Sequence, residues 1–217
     1  MRNLHGGFHE EKALVGVGDR EATPLRLLDQ SHVVEVRIVG RKRELFLTRE
    51  QRDDLIQACP GNLRALVKGL TLTALRPGEL AACKVNDFDR KAGTLSIRKS
   101  KTDARIVPLS TAARAFFSEQ IRARIAASPL LPNDFGNHWN KDAWNKPFRA
   151  AVAASKLPRE TVTYSLRHAA ISELLVSGMD MHTVAKIAGT STDMIDEHYG
   201  HLCVERTRKQ LDAAALG

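Results

Sequence analysis

From residue 44 onward, Pro60-Gly61, Arg76-Pro77, Gly178 and Gly189 cut the chain into short segments, and inside each the apolar residues recur at helical spacing. Thr48 and Gln51 form a capping box ahead of Leu55, Ile56 and Cys59. Leu63, Leu66, Val67, Leu70 and Ala74 make a second helical face, and the short helix "PGELAAC" starts at Pro77, where proline suits the first turn. The period then changes to two. Leu95 and Ile97 alternate with polar residues, and "RKAG" and "SKTDA" read as turns, which predicts a small antiparallel sheet of two or three strands. Ser110 caps a helix with Phe117, Ile121 and Ile125 on one face, and "SPLLPNDFGN" is loop. Four more helical segments follow. They carry Trp144, Phe148 and Val152; Leu166, Ala170 and Leu174; Met181, Val184 and Ala188; and, capped by Thr190 or Ser191, Ile195 and Tyr199. Residues 203–215 make a last polar helix. The expected fold is mostly α, of the α+β class, with one small antiparallel β-sheet.

Residues 1–44 show no sustained period. Val34, Val36 and Ile38 alternate as one strand would, and Arg41-Lys42-Arg43 reads as a linker, so the expected division is an N-terminal linker or remnant over 1–44 and one domain over 45–217. No stretch approaches the roughly 20 apolar residues of a membrane span, and the charged N-terminus is no secretion signal. A cytoplasmic protein is the expectation. Cys59, Cys83 and Cys203 form no CxxC pair and read as reduced, packed thiols. The 33 basic residues against 25 acidic ones leave a net charge of +8, which suits a polyanionic partner.

Several polar residues stand where a plain core helix would not put them. Arg76 sits at a helix junction directly after "TLTAL", as a surface or capping residue or as an anion binder, with Glu79 three residues on to hold its guanidinium. Tyr164 and Arg167 share one helical face, and Arg167 opens an otherwise apolar helix, which is unfavourable unless it meets an anion or a carboxylate. His168 reads as a packed, hydrogen-bonded histidine, and Lys101, at a hairpin tip, as a solvated lysine. One of only two tyrosines, Tyr199, lies between His198 and His201 in "DMIDEHYGHL". With Cys203 these histidines invite a zinc site, but a fourth ligand is missing. The segment "VAKIAGTSTDMIDEHY" also has the layout of a helix-turn-helix, although Asp193, Asp196 and Glu197 are poor residues for reading DNA.

In order along the chain, these stretches resemble the catalytic domain of the tyrosine recombinases, the phage integrase family, over about residues 46 to 217. "LTALRPGELAACKVNDFD" is similar to the first arginine box, "RKSKTDARIVPLS" to the hairpin of the catalytic lysine, "YSLRHAAISELLVSGMDMHTVAKIAGTS" to the second arginine box and "MIDEHYGHL" to the nucleophile box.

The resemblance implies Arg76, Lys101, Arg167 and Tyr199 as catalytic residues, with Glu79 in support. Tyr199 would attack a DNA phosphodiester to give a 3′-phosphotyrosyl link, the two arginines would hold the non-bridging oxygens, and Lys101 would protonate the leaving 5′-oxygen. A phenol with a pKa of roughly 10 needs such positive neighbours to react near neutral pH. No metal or other cofactor is implied.

Two positions depart from the family pattern. Tyr164 and Thr190 stand where a histidine, and a histidine or tryptophan, are common; both keep a hydroxyl that can reach a phosphate oxygen. They leave the general base unassigned. His198 adjoins the nucleophile, but neighbours on a helix point about 100° apart. The implied partners are double-stranded DNA and further copies of the chain, as dimers pairing into a tetramer through the C-terminal helix. The family's N-terminal DNA-clamping domain has no counterpart in residues 1–44, so a fragment of a longer integrase or a truncated relic is expected. A non-catalytic DNA-binding relic or helix-turn-helix regulator, and a type IB topoisomerase, are the competing readings.

Overall fold

The structure is a computed structural model and describes residues 25–28, 33–36, 47–98 and 104–214. It divides into two compact units, Met1–Arg41 and Lys42–Gly217. In the first, β1 (Leu25–Leu28) pairs antiparallel with β2 (Val33–Val36), so Leu25 faces Val36 and Leu28 faces Val33. The alternation at Val34 and Val36 predicts the second strand alone; "LRLL" supplies a partner that alternation does not reveal. Ile38 lies outside the described residues.

The second unit is mostly helical, as its punctuation predicts. Thr48 accepts from the Gln51 backbone and Gln51 returns the bond, which starts α1 (Arg49–Ala58). The central column is α2 (Leu63–Thr73), whose Leu63, Leu66, Val67 and Leu70 are buried, and α1 and helices later in the chain pack against it. Burying each such side chain stabilises the fold by about 2 kcal/mol. Ala74 then adopts a left-handed conformation, φ 54°, and Pro77 opens α3 (Pro77–Ala82) in a new direction. A 3₁₀ turn at Val85–Asp87 leads into a sheet of order β3 (Phe88–Asp89), β4 (Thr94–Ile97), β5 (Arg105–Pro108). Leu95 faces Val107, Ile97 faces Arg105, and Leu95, Ile97 and Val107 point into the core.

Ser110 caps α4 (Thr111–Gln120) as expected, but the helix stops short of Ile125, which is 73% exposed. Ala123, at φ 57°, breaks the period, so the apparent face of Phe117, Ile121 and Ile125 holds only at its start. After a loop that buries Leu130 and Leu131 come α5 (Lys141–Ala154), α6 (Thr163–Val176), α7 (Met181–Ala188), α8 (Thr192–Tyr199) and α9 (Val204–Ala213). Arg52 on α1 is buried and pairs through both terminal nitrogens with Glu173 on α6, tying the two helices together. All three cysteines are buried, free thiols; burial pushes Cys59 up to about 11 and Cys83 up to about 12.

Candidate active site

Arg76 precedes the first residue of α3, in an extended conformation. Its backbone N–H donates to Glu79 Oε2 at 3.2 Å and its Nη1 to Glu79 Oε1 at 3.1 Å. Glu79 is 8% exposed and serves a second cation: Arg105 donates from Nη1 to Oε1 at 3.1 Å and from Nη2 to Oε2 at 2.8 Å. Burial pushes the carboxyl up, but Arg105 and then Arg76 pull it further down, so it sits below its ordinary value of 4.5.

Arg105 is a residue the sequence reading missed. A signal was available: it shares a cross-strand pair with buried Ile97 and the parity of buried Val107, so the register turns it inward, where a cation needs a carboxylate. Its guanidinium also donates from Nε to Ile187 O at 3.3 Å and from Nη2 to Ala188 O at 3.2 Å. It lies across Gly189, which ends α7 at φ 70°; a Cβ there would come within 2.3 Å of the Arg105 Cζ. Gly189 is therefore fixed twice, by its left-handed backbone and by the guanidinium above it.

Arg167 on α6 is 3% exposed. Its Nη1 donates to Ala74 O at 2.8 Å and to Ala188 O at 2.6 Å. The expected partner was an anion or a carboxylate; its partners here are carbonyls at the C-terminal ends of α2 and α7, where the helix dipoles are negative. Burial lowers its pKa, Tyr164 opposes that shift, and Arg76 adds to it; a guanidinium nonetheless stays charged near neutral pH. The Tyr164 ring lies 5.7 Å from the Arg167 Cζ and is half open to solvent.

Tyr199 is the last residue of α8 and is 4% exposed. Ser191 starts the helix by accepting from the Met194 N–H at 3.2 Å, and buried Ile195 anchors it. Thr190, the other candidate cap, is half-buried and donates its backbone N–H to Ala185 O at 3.0 Å. The Tyr199 hydroxyl is hydrogen-bonded to Nδ1 of His168, one helical step beyond Arg167. His168 is thus hydrogen-bonded as read, but to the candidate nucleophile itself. Burial lowers its pKa below the ordinary 6.5, and Arg167 and His198 lower it further. The His198 ring meets Tyr199 edge-on at a centroid distance of 6.3 Å. Lys101 lies outside the described residues; the strands on either side of it end at Ile97 and begin at Arg105.

The fold brings Arg76, Glu79, Tyr164, Arg167, His168 and Tyr199 together from three separate stretches of sequence. Of these, Arg76, Glu79 and Tyr164 line a groove of about 750 Å3, together with Asp87, Arg98 and Lys141. Among the described residues no group of three or more His, Cys, Asp or Glu could hold a metal ion, and no helix is long and apolar enough to cross a membrane.

A model of the phage integrase family matches residues 45–206. The chain is 25% identical over 154 residues to the tyrosine recombinase XerC of Pelobacter propionicus, covering 70% of this chain and 51% of that one. It is 29% identical over 150 residues to the XerD recombinase of Rhizobium meliloti, covering 66% and 48%. The chain thus spans about half the length of the curated relatives it matches. Among solved structures, the Tn1549 transposon integrase in complex with transposon right end DNA superposes with a TM-score of 0.68 at 18% identity, over 80% of this chain and 67% of that one. XerA recombinase superposes with a TM-score of 0.63 at 19% identity, over 80% and 64%. At these identities the structural likeness establishes the fold.

Proposed function

The chain belongs to the phage integrase family, and from that premise we propose that residues 45–217 are the catalytic domain of a site-specific DNA recombinase that cuts and rejoins strands through Tyr199. The observation that carries this reading is the meeting of two arginines and a buried tyrosine, Arg76, Arg167 and Tyr199, from separate sequence boxes. The non-bridging oxygens of a DNA phosphate are held by Arg76 and by the part of the Arg167 fork turned away from Ala74 and Ala188. The Tyr199 Oη attacks phosphorus, the bond to the 5′-oxygen breaks, and Lys101 gives that oxygen a proton. The enzyme is then joined to the 3′-phosphate, and attack by a 5′-hydroxyl reverses every step. Both arginines neutralise the charge that grows on the phosphoryl oxygens, and their buried partners set them in position before DNA arrives. Tyr164 and Thr190 contribute hydroxyls near the phosphate, and Glu79 holds Arg76.

Double-stranded DNA is the proposed substrate, and further copies of the chain are the proposed partners. Val204 and Leu211 on α9 are 55% and 53% exposed, an apolar surface suited to docking on a neighbouring copy.

Covalent trapping tests this reading. Nicked duplexes tiled across the junctions of the encoding genetic element should give an SDS-resistant protein–DNA band with the wild type and none with Tyr199→Phe. DNA binding without any band would favour a non-catalytic relic, and relaxation of arbitrary supercoiled plasmids a topoisomerase.

A further inference from the structure

We infer that His168 is the general base of the cleavage step and takes the phenolic proton from Tyr199. The inference rests on the recombinase reading and fills the place that Tyr164 and Thr190 leave open. The geometry is direct: the Tyr199 hydroxyl and His168 Nδ1 are hydrogen-bond partners, both close to Arg167. The hydroxyl of a tyrosine that is 4% exposed has little water to receive its proton, so the partner already bonded to it is the available acceptor.

The neighbouring groups suit this task. Arg167 and Tyr164 face His168 from its own helix, and His198 and Tyr199 face it from α8. The Tyr164 ring meets the imidazole edge-on at a centroid distance of 5.2 Å and limits how it can turn. Burial, with the Arg167 guanidinium beside it, keeps the imidazole neutral at neutral pH, with its Nδ1 lone pair accepting from the Tyr199 O–H and its proton on Nε2. A neutral imidazole does not take a proton from a resting phenol. As the Oη–P bond forms, the phenolic oxygen loses its basicity and the proton passes to Nδ1. The bound phosphate also supplies negative charge that offsets Arg167, so the imidazolium is tolerated only when DNA is in place. The proton ends on His168, the electron pair of the O–H bond becomes the Oη–P bond, and the 5′-oxygen leaves with the proton of Lys101. In rejoining, His168 returns its proton to the departing Tyr199 oxygen.

His198 is the alternative base beside the nucleophile, and its ring contacts Tyr199 edge-on. The test therefore compares both histidines. Cleavage of nicked duplexes carrying a 5′-bridging phosphorothiolate, whose sulfur leaves without a general acid, isolates proton removal from proton donation. His168→Asn should lower the single-turnover rate about 100-fold or more on both phosphate and phosphorothiolate. Lys101→Ala should be rescued on phosphorothiolate, and His198→Asn should stay near the wild type. Added imidazole should restore part of the activity of His168→Ala. The wild-type rate should fall as pH drops through the lowered His168 pKa, a limb that His168→Asn lacks. Nitrogen-15 NMR of the full chain, without DNA, should show an unprotonated Nδ1 whose shift moves in Tyr199→Phe.

His168→Asn cleaving as fast as the wild type, or a proton found on Nδ1 in the resting enzyme, would overturn the inference while leaving the recombinase reading intact. A wild type that never forms covalent product overturns that reading, and the base assignment with it.

Discussion

The arginine side and the tyrosine side of the site are built differently. On the arginine side, three guanidinium groups are tied to fixed acceptors: the buried Glu79 carboxylate and the carbonyls of Ala74, Ile187 and Ala188. On the tyrosine side, a two-turn helix with one buried apolar anchor carries Tyr199, and the hydroxyl is bonded to His168. Guanidinium groups held by a buried carboxylate and by carbonyls at helix ends make the phosphate holder pre-organised. The nucleophile hangs on a more exposed lever, which suits a group that must travel with a DNA strand after it attacks. The difference teaches that charge stabilisation and bond making are given to parts of the fold with different stiffness.

Substitutions should separate the two sides, and the largest effect falls on the nucleophile. Tyr199→Phe should abolish the covalent protein–DNA band while leaving thermal stability near that of the wild type, checked by calorimetry. Arg167→Lys should follow, with a loss of about 1,000-fold in cleavage rate, because a single ammonium cannot bridge Ala74, Ala188 and a phosphate together. Glu79→Gln should lower unfolding free energy by about 3 kcal/mol in urea titration, since two arginines lose their carboxylate. Gly189→Ala should lower it by about 2 kcal/mol, through strain at positive φ and the clash with Arg105. Ser191→Ala, which removes only a helix cap, should lower it by about 1 kcal/mol.

Acid should also discriminate. His168 sits below its ordinary 6.5 and Glu79 below its ordinary 4.5. In each case the unfolded chain binds the proton first, so the stability each group contributes is complete above the ordinary value and falls as pH drops toward the lowered one. Urea midpoints measured across pH should show one loss beginning near the histidine value, absent in His168→Asn, and another beginning near the carboxylate value, absent in Glu79→Gln.

Much of this site was legible before any fold was known. Capping residues and glycines marked the helix limits, and Arg76, Glu79, Arg167 and Tyr199 stood out as polar residues beside apolar runs or in an unusual setting. What stayed hidden needed register or distance in space. Arg105 looked like one more basic residue after a turn until its cross-strand pairing with Ile97 turned it inward. His168 could be read as a satisfied histidine, but its partner lies 31 residues away on another helix, which no local spacing encodes. The end of α4 was misread because Ile125 continues a helical period that the backbone abandons at Ala123. Lys101 remains assigned through its resemblance alone.

The C-terminal helix carries a constraint of its own. Arg206, in its first turn, donates to the carbonyls of Leu175 and Met179 at 3.3 and 3.2 Å and so fastens α9 to the end of α6. While that anchor holds, α9 is a peg and not a leash. Leu211 lies five residues further on, about 8 Å along the helix axis. A pull on α9 would be felt, through that single arginine, by the helix of the same chain that carries Arg167 and His168.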